Sequence, residues 1–423
     1  MTPTTHLVPS AGISSGDWPQ YRRDNQRTGN NVGQSVITAG NVSHLALRWK
    51  ASLPNGAFAT PVIMNGSVYI ADLAGNVTAF NEATGKQLWT QALGGGFYAT
   101  PTFSDGKLYA PNLNGQFAVL DAATGALLWQ YPVLDTAGSY EGSPIVANGV
   151  VYETRANRDE DNGPCISQDQ VVTFDANVGQ LLSAETLTPT GTSGVGVWSS
   201  PMMDASNALY VATGNSCGTP SSPFGDSILH LSSSSLNVIW KFQATDGHDW
   251  DFGATPVYLN GIVYDVSKDG YVYALDAESG ALLWKNNGNL PNGGGVGSPG
   301  TDGKRIFVPF NETDTPTPGG AIFAFNLDGS IAWSHLTGSP EGVGFGTLSA
   351  PAVSGGAVYV GDSLPNCTVN CYGLSAYDTV SGQLLWRYPT DKPIYAGAAI
   401  VDGGLFVADF EGGTLYHFTL GGT

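Results

Sequence analysis

"ATPVIMNGSVYIADLAGNVTAFNEATGKQLW", residues 59–89, decides the fold, because the chain repeats its pattern. The same design returns as "ATPTFSDGKLYAPNLNGQFAVLDAATGALLW" at 99–129 and as "ATPVYLNGIVYDVSKDGYVYALDAESGALLW" at 254–284. Each copy reads as four short strands. An apolar first strand meets an Asn-Gly or Asp-Gly pair, the turn chemistry of a tight hairpin. An alternating second strand, a loop, a third strand, a Thr-Gly or Ser-Gly turn and a final strand ending in Trp follow. Repetition of one supersecondary unit implies a stack or a ring, since one such sheet cannot bury its apolar faces alone.

The repeat entrances fall near Pro61, Pro101, Pro144, Pro201, Pro256, Pro299, Pro351 and Ala398, which predicts eight units. The last, "GAAIVDGGLFVADFEGGTLYHFTL", ends after its third strand. Its fourth is available at the front of the chain, where "LALRW" ends at Trp49, one repeat before Trp89. Sharing that sheet between the two ends of the chain closes the ring and removes its exposed edges. The expected fold is therefore all-β: an eight-bladed β-propeller of four-stranded antiparallel blades, over residues 17–423, behind a disordered segment, 1–16. Trp49, Trp89, Trp129, Trp240, Trp284, Trp333 and Trp386 occupy equivalent places, with Ser183 at the eighth. Packing between neighbouring blades is the role expected of them.

Composition narrows the partners. Of 423 residues only 12% are charged, and the net charge is −19, which opposes binding to nucleic acid or an anionic membrane surface. No apolar run approaches the ~20 residues of a membrane span. "MTPTTHLVPSAGISSG" shows neither a basic segment nor an apolar core, so no signal peptide is visible. A monomer is expected.

Strand parity locates the functional face. The second-to-third-strand loops open on the face where one blade passes to the next, and they hold every long insertion: 154–169, 214–226, 311–320 and 362–371. The aromatic blade entrances Phe58, Tyr98, Tyr140, Trp198, Trp250, Phe345 and Tyr395 lie near that face, the place for binding and catalysis on a rigid scaffold. All four cysteines sit in these insertions, Cys367 and Cys371 in one loop, Cys165 and Cys217 in neighbouring blades. Two disulfides in an oxidising compartment, extracellular or periplasmic, are expected; four free thiols or a metal site is the alternative. No Cys-x-x-Cys-His signal is present, so no covalent haem is expected.

The specific motifs are concentrated between 194 and 276. "GVGVWSSPMMDASNALYVATGN" (194–215), "GDSILHL" (225–231), "WKFQATDGHDWDFGATP" (240–256) and "SKDGYVYALD" (267–276) resemble the pyrroloquinoline quinone (PQQ) dehydrogenases, especially their polyvinyl-alcohol-dehydrogenase-like branch. "DWPQYRRDNQRTG" (17–29) is similar to the N-terminal signature of such enzymes. The resemblance implies PQQ and Ca²⁺ in the funnel, an alcohol or polyol as substrate, and a separate electron acceptor. It implies Trp198 as the floor under the planar quinone, Asn215 as an oxygen ligand of calcium, and Lys268 as the cation on the quinone oxygens. Asp251 matches the general base that also touches the metal, with Asp249 as second choice. Glu160 is the nearest match to the glutamate ligand of calcium, with Asp159 and Asp161 as alternatives.

The chain departs from the family in two respects. It has no adjacent Cys-Cys pair: Ile166 follows Cys165. It also reads Gln168-Asp169-Gln170 where Arg-Gly is expected. Two other readings stay open: a cofactor-free propeller acting as a protein- or ligand-binding scaffold, as in the outer-membrane assembly propellers, and a propeller enzyme of non-redox chemistry at the same face. On residues alone, Asp251, Asn215 and Lys268 could instead serve turns at the blade entrances.

Overall fold

The computed structural model describes residues 13–132, 138–157, 169–216, 218–244, 250–288, 294–295, 297–313, 319–337, 349–364 and 371–422. Eight antiparallel sheets follow one another in chain order, with a single short 3-10 turn, Val42–His44, among the described residues. The first blade is Val62–Met64, Ser67–Ala71, Asn76–Asn81 and Gln87–Ala92, as the repeat predicts. The eighth combines Ala399–Val401, Gly404–Ala408 and Thr414–Leu420 with Leu45–Ser52, in the register Leu45↔Leu420 to Ser52↔Thr414. The ring is closed by its two ends. The third blade carries an additional two-residue strand, Gly138–Ser139, paired to Val150–Asn157.

Burial follows strand position within each blade. The second and third strands are buried on both sides, whereas the outer strand alternates exposed and half-buried residues. The tryptophans join the blades. Trp49 seats against Gly85 of the next blade, and Trp89, Trp129, Trp240, Trp284 and Trp333 meet Gly125, Gly179, Gly280, Gly329 and Gly382. A Cβ at any of these glycines would fall within 2.7 Å of the indole, and each has a positive φ between 68° and 85°. Glycine is therefore required twice over, by the turn and by the neighbouring ring. Indole N–H groups donate to turn carbonyls, Trp49 to Glu82 at 2.8 Å and Trp284 to Leu327 at 2.9 Å. Where the third blade has Ser183, the facing turn carries Leu236 at φ 60°, buried, in place of glycine. The smaller residue on one blade is matched by a larger one on the next.

A belt of hydroxyls runs around the inner wall. The backbone N–H of Thr60 donates to Thr100 Oγ1 (2.8 Å), Thr100 to Ser143 Oγ (2.8 Å), and Ser143 to Ser200 Oγ (2.8 Å). Ser200 donates to Thr255 Oγ1 (3.0 Å) and Thr255 to Ser298 Oγ (2.9 Å). Six blades are linked in this way; the seventh and eighth have Ala350 and Gly397 at the same repeat position. Ala350→Ser supplies the missing acceptor for the Ser298 N–H, and we expect it to stabilise the fold by about 1 kcal/mol. Differential scanning calorimetry reads this as a raised Tm.

The segment from Ser15 to Asn31 seals the channel by bonding to every blade, at its inner strand or just beside it. Trp18 bridges Ile63, and Phe103 N–H donates to Pro19 O (2.7 Å). Asn25, Gln26, Thr28 and Gly29 carbonyls accept from Met203, Tyr258, Thr301 and Val353, and Ser15 O accepts from Asp402. Arg27 reaches Pro201 O (2.9 Å) and Ser143 O (2.7 Å), and Arg22 donates to Pro299 O and Pro351 O. Arg22, Arg23 and Arg27 are 2%, 2% and 0% exposed, far below the norm for arginine. All three have positive φ, a conformation held by these tertiary bonds. Burial pulls the Arg22 and Arg27 guanidinium groups down to about 10, which leaves both charged at neutral pH.

At the closing seam, His417 lies opposite Trp49 and stacks on Phe406, with ring centroids 4.0 Å apart. Burial, and secondarily the Arg48 charge, hold its pKa down to about 3. The unfolded chain, with a histidine near 6.5, binds more protons between those values, so stability falls as pH drops from about 6.5 toward 3. His417→Phe should remove roughly 3 kcal/mol of the acid sensitivity between pH 6.5 and 4. Urea midpoints measured across that range test it.

Candidate functional site

A cavity of about 820 Å³ occupies the centre of the long-loop face. Its floor includes Tyr21 of the sealing segment, whose hydroxyl donates to Ser298 Oγ at 2.9 Å. The belt residues Ser143, Ser200 and Thr255 line it above that floor, and Trp198 forms part of one wall.

The residues singled out between 198 and 268 converge from the fourth and fifth blades. Asp251 is fully buried, and its Oδ1 accepts the Asn215 backbone N–H. Its Oδ2 is ion-paired with Lys268 Nζ. The Lys268 backbone N–H donates to Asp251 O at 2.9 Å, so main chain and side chain fix the pair together. Lys268 Nζ also lies 5.8 Å from the Trp198 ring centroid. A carboxylate, a cation, the Asn215 backbone amide and an indole ring thus meet at one point.

Two glycines make that convergence feasible. A Cβ at Gly214 would lie 2.9 Å from Asp251 Oδ1 and 3.1 Å from Trp198 Nε1. A Cβ at Gly253 would fall 1.9 Å from the Trp198 ring, so the indole fits only against bare backbone. The "ATGN" and "WDFG" motifs therefore need their glycines for packing around Trp198 and Asp251.

Asp169 is a residue that motif reading missed. It is fully buried; Oδ2 accepts the Val195 N–H at 2.7 Å, and Oδ1 the Val197 N–H at 3.3 Å. Its carboxylate therefore anchors the strand of backbone that presents Trp198. The sign available in sequence was an acidic residue standing where Arg-Gly was expected. Asp249 and Glu160 lie outside the described residues, as do Asp159, Asp161, His248, Cys165, Cys217 and Cys367. Cys371 is buried.

The residue types suit the implied groups, and of Trp198, Asn215, Asp251 and Lys268 it is Trp198 that lines the cavity. Trp198 offers the apolar face that a planar tricycle stacks on, and a cavity of about 820 Å³ is ample for one. The Asp251 carboxylate and the Asn215 amide oxygen are hard donors of the type calcium takes.

A family model described as outer membrane protein assembly factor BamB (PQQ_2) matches residues 25–219 and 226–416. The chain is 29% identical over 193 residues to an outer membrane protein assembly factor BamB of Nitrosomonas eutropha, covering 44% of this chain and 40% of that protein. It is 26% identical over 245 residues to a polyvinylalcohol dehydrogenase of Sphingopyxis sp., covering 47% of this chain and 36% of that one. The chain thus spans about two fifths of the length of these relatives. The crystal structure of quinohemoprotein alcohol dehydrogenase from Comamonas testosteroni superposes with a TM-score of 0.80 at 20% identity, over 98% of this chain and 82% of that one. At that identity the likeness speaks for the fold. Among the described residues no helix is long and apolar enough to cross a membrane.

Proposed function

The chain belongs to the PQQ-repeat propeller family whose model is described as outer membrane protein assembly factor BamB, and within that family we propose that it is a quinoprotein-type oxidoreductase acting on an alcohol or polyol. The observation that carries this reading is the buried Asp251, paired with Lys268 and positioned beside Trp198. Trp198 and Lys268 would hold PQQ, and Asp251 with the Asn215 side chain would hold calcium, with Glu160 as the further ligand that the family resemblance implies. When bound, the quinone supplies a two-electron acceptor and the metal a Lewis acid, chemistry that no side chain here provides.

The protein's own part is positioning and proton transfer. Asp251 takes the proton of the substrate hydroxyl at a carboxylate oxygen. The Asn215 N–H and the Lys268 ammonium fix that carboxylate in direction. Lys268 also places positive charge by the Trp198 ring, where it would bind the oxygens of a stacked quinone. The sealing segment closes the channel beneath Tyr21, so substrate enters from the long-loop face. Dye reduction tests the reading: protein loaded with PQQ and calcium should reduce an artificial acceptor when given a primary alcohol.

The family description and the BamB relatives favour a second reading, a cofactor-free scaffold that binds a protein through the long-loop face. Failure of the protein to bind PQQ, followed by quenching of tryptophan fluorescence, would decide for the scaffold.

A further inference from the structure

We propose that the end of the cavity away from Trp198 is a binding site for an organic ammonium cation. Phe58, Tyr98 and Tyr395 stand three residues before Pro61, Pro101 and Ala398, the same repeat position that Trp198 holds before Pro201. The first, second and eighth blades therefore present their entrance rings to the cavity as the fourth presents its indole, and all four line it. Phe410 joins them from the second-to-third-strand loop of the eighth blade. Phe58 lies 4.7 Å from Tyr98, 5.4 Å from Tyr395 and 5.1 Å from Phe410 between ring centroids, and Tyr395 lies 4.9 Å from Phe410. None of the four is buried, and Tyr98 is 41% exposed. Their accessible surface faces the cavity.

The charges around this wall are acidic. Glu411, Asp391 and Glu141 line the cavity, with Lys392 as the basic residue on that side. The Lys392 stem runs against Gly412, and its charge acts on Asp409. Glu411 follows Phe410 directly and has φ 56°, a left-handed conformation uncommon for glutamate. Burial first, and then neighbouring charges that include Glu411, push the Tyr372 and Tyr395 phenols up. Both hydroxyls therefore stay protonated beside that carboxylate.

Aromatic faces carry negative quadrupole potential, and a cation held over them gains further from nearby carboxylates. An anion would be repelled by this rim and by the net charge of −19. A neutral ligand would use the rings and leave the carboxylates without a counter-charge.

Isothermal titration of the full chain, without quinone or added metal, tests the assignment. Choline and its uncharged isostere 3,3-dimethylbutan-1-ol are the probes, at low ionic strength. Choline is expected to bind at least about tenfold more tightly than the isostere. Glu411→Gln and Tyr395→Leu should each lower choline affinity about tenfold while the melting temperature stays near that of the parent. Equal binding of the two probes, no choline binding, or stronger binding of a neutral sugar such as glucose overturns the assignment, as does unchanged affinity in Glu411→Gln. Because no cofactor takes part, the result stands apart from the outcome of quinone reconstitution.

Discussion

Asp251→Asn lowers dye-coupled alcohol oxidation by the protein loaded with PQQ and calcium by about 10²–10⁴-fold, while leaving the fold in place. Asparagine retains the shape of the side chain and an oxygen to accept the Asn215 N–H. It can neither take a proton from an alcohol nor pair with Lys268 as a carboxylate does. The loss should appear in kcat at saturating alcohol, since the group acts on the reacting hydroxyl and not on the remainder of the substrate. Trp198 fluorescence should still report quinone binding, because stacking does not need the carboxylate. Turnover undiminished in this variant would move the base elsewhere, with Asp249 next to be replaced.

Arg27→Met lowers the unfolding free energy by roughly 3–5 kcal/mol, read as a shift of the urea midpoint. The side chain is fully buried and donates to Pro201 O, Tyr21 O, Ser143 O and Pro144 O at 2.9, 2.8, 2.7 and 3.3 Å. Methionine fills the volume but strands those carbonyls, each of which costs about 1–3 kcal/mol if left unmet. Glu153, also fully buried, loses the positive charge that offsets part of its desolvation. Arg48→Met is the matched control: Arg48 is exposed and donates to Ala83 O at 3.0 Å, so its loss should cost under about 1 kcal/mol. Equal shifts in the two variants would show that the sealing segment contributes no more than surface decoration.

The blades were legible because each is specified locally. Asn65-Gly66 and Thr84-Gly85 fix their turns through backbone conformation, and Trp89 recurs at a fixed distance from both. Closure was legible by counting, since "LALRW" has no other sheet to complete. The convergence of Trp198, Asn215, Asp251 and Lys268 followed from motif order, and the structure brings the four together. Other features depend on pairs that are distant in sequence. The exchange of Ser183 for tryptophan and Leu236 for glycine means nothing until the two blades are adjacent. Asp169 reads as a loop acid until its oxygens are seen on Val195 and Val197. Nothing in "QYRRDNQRTG" marks it for burial, because burying its arginines requires acceptors from blades far along the chain.

That last requirement bears on how the molecule is made. The sealing segment comes before every blade in the chain, yet its bonds reach as far as Asp402, 387 residues beyond Ser15. Contacts of such separation form late, after the intervening loops have been closed. A chain growing from its N-terminus therefore carries Arg22 without its acceptors Pro299 O and Pro351 O until the seventh blade has been synthesised. No partial ring offers that segment its full set of acceptors, so fragments ending before the last blade should remain open and prone to degradation. The keystone is delivered first and set last.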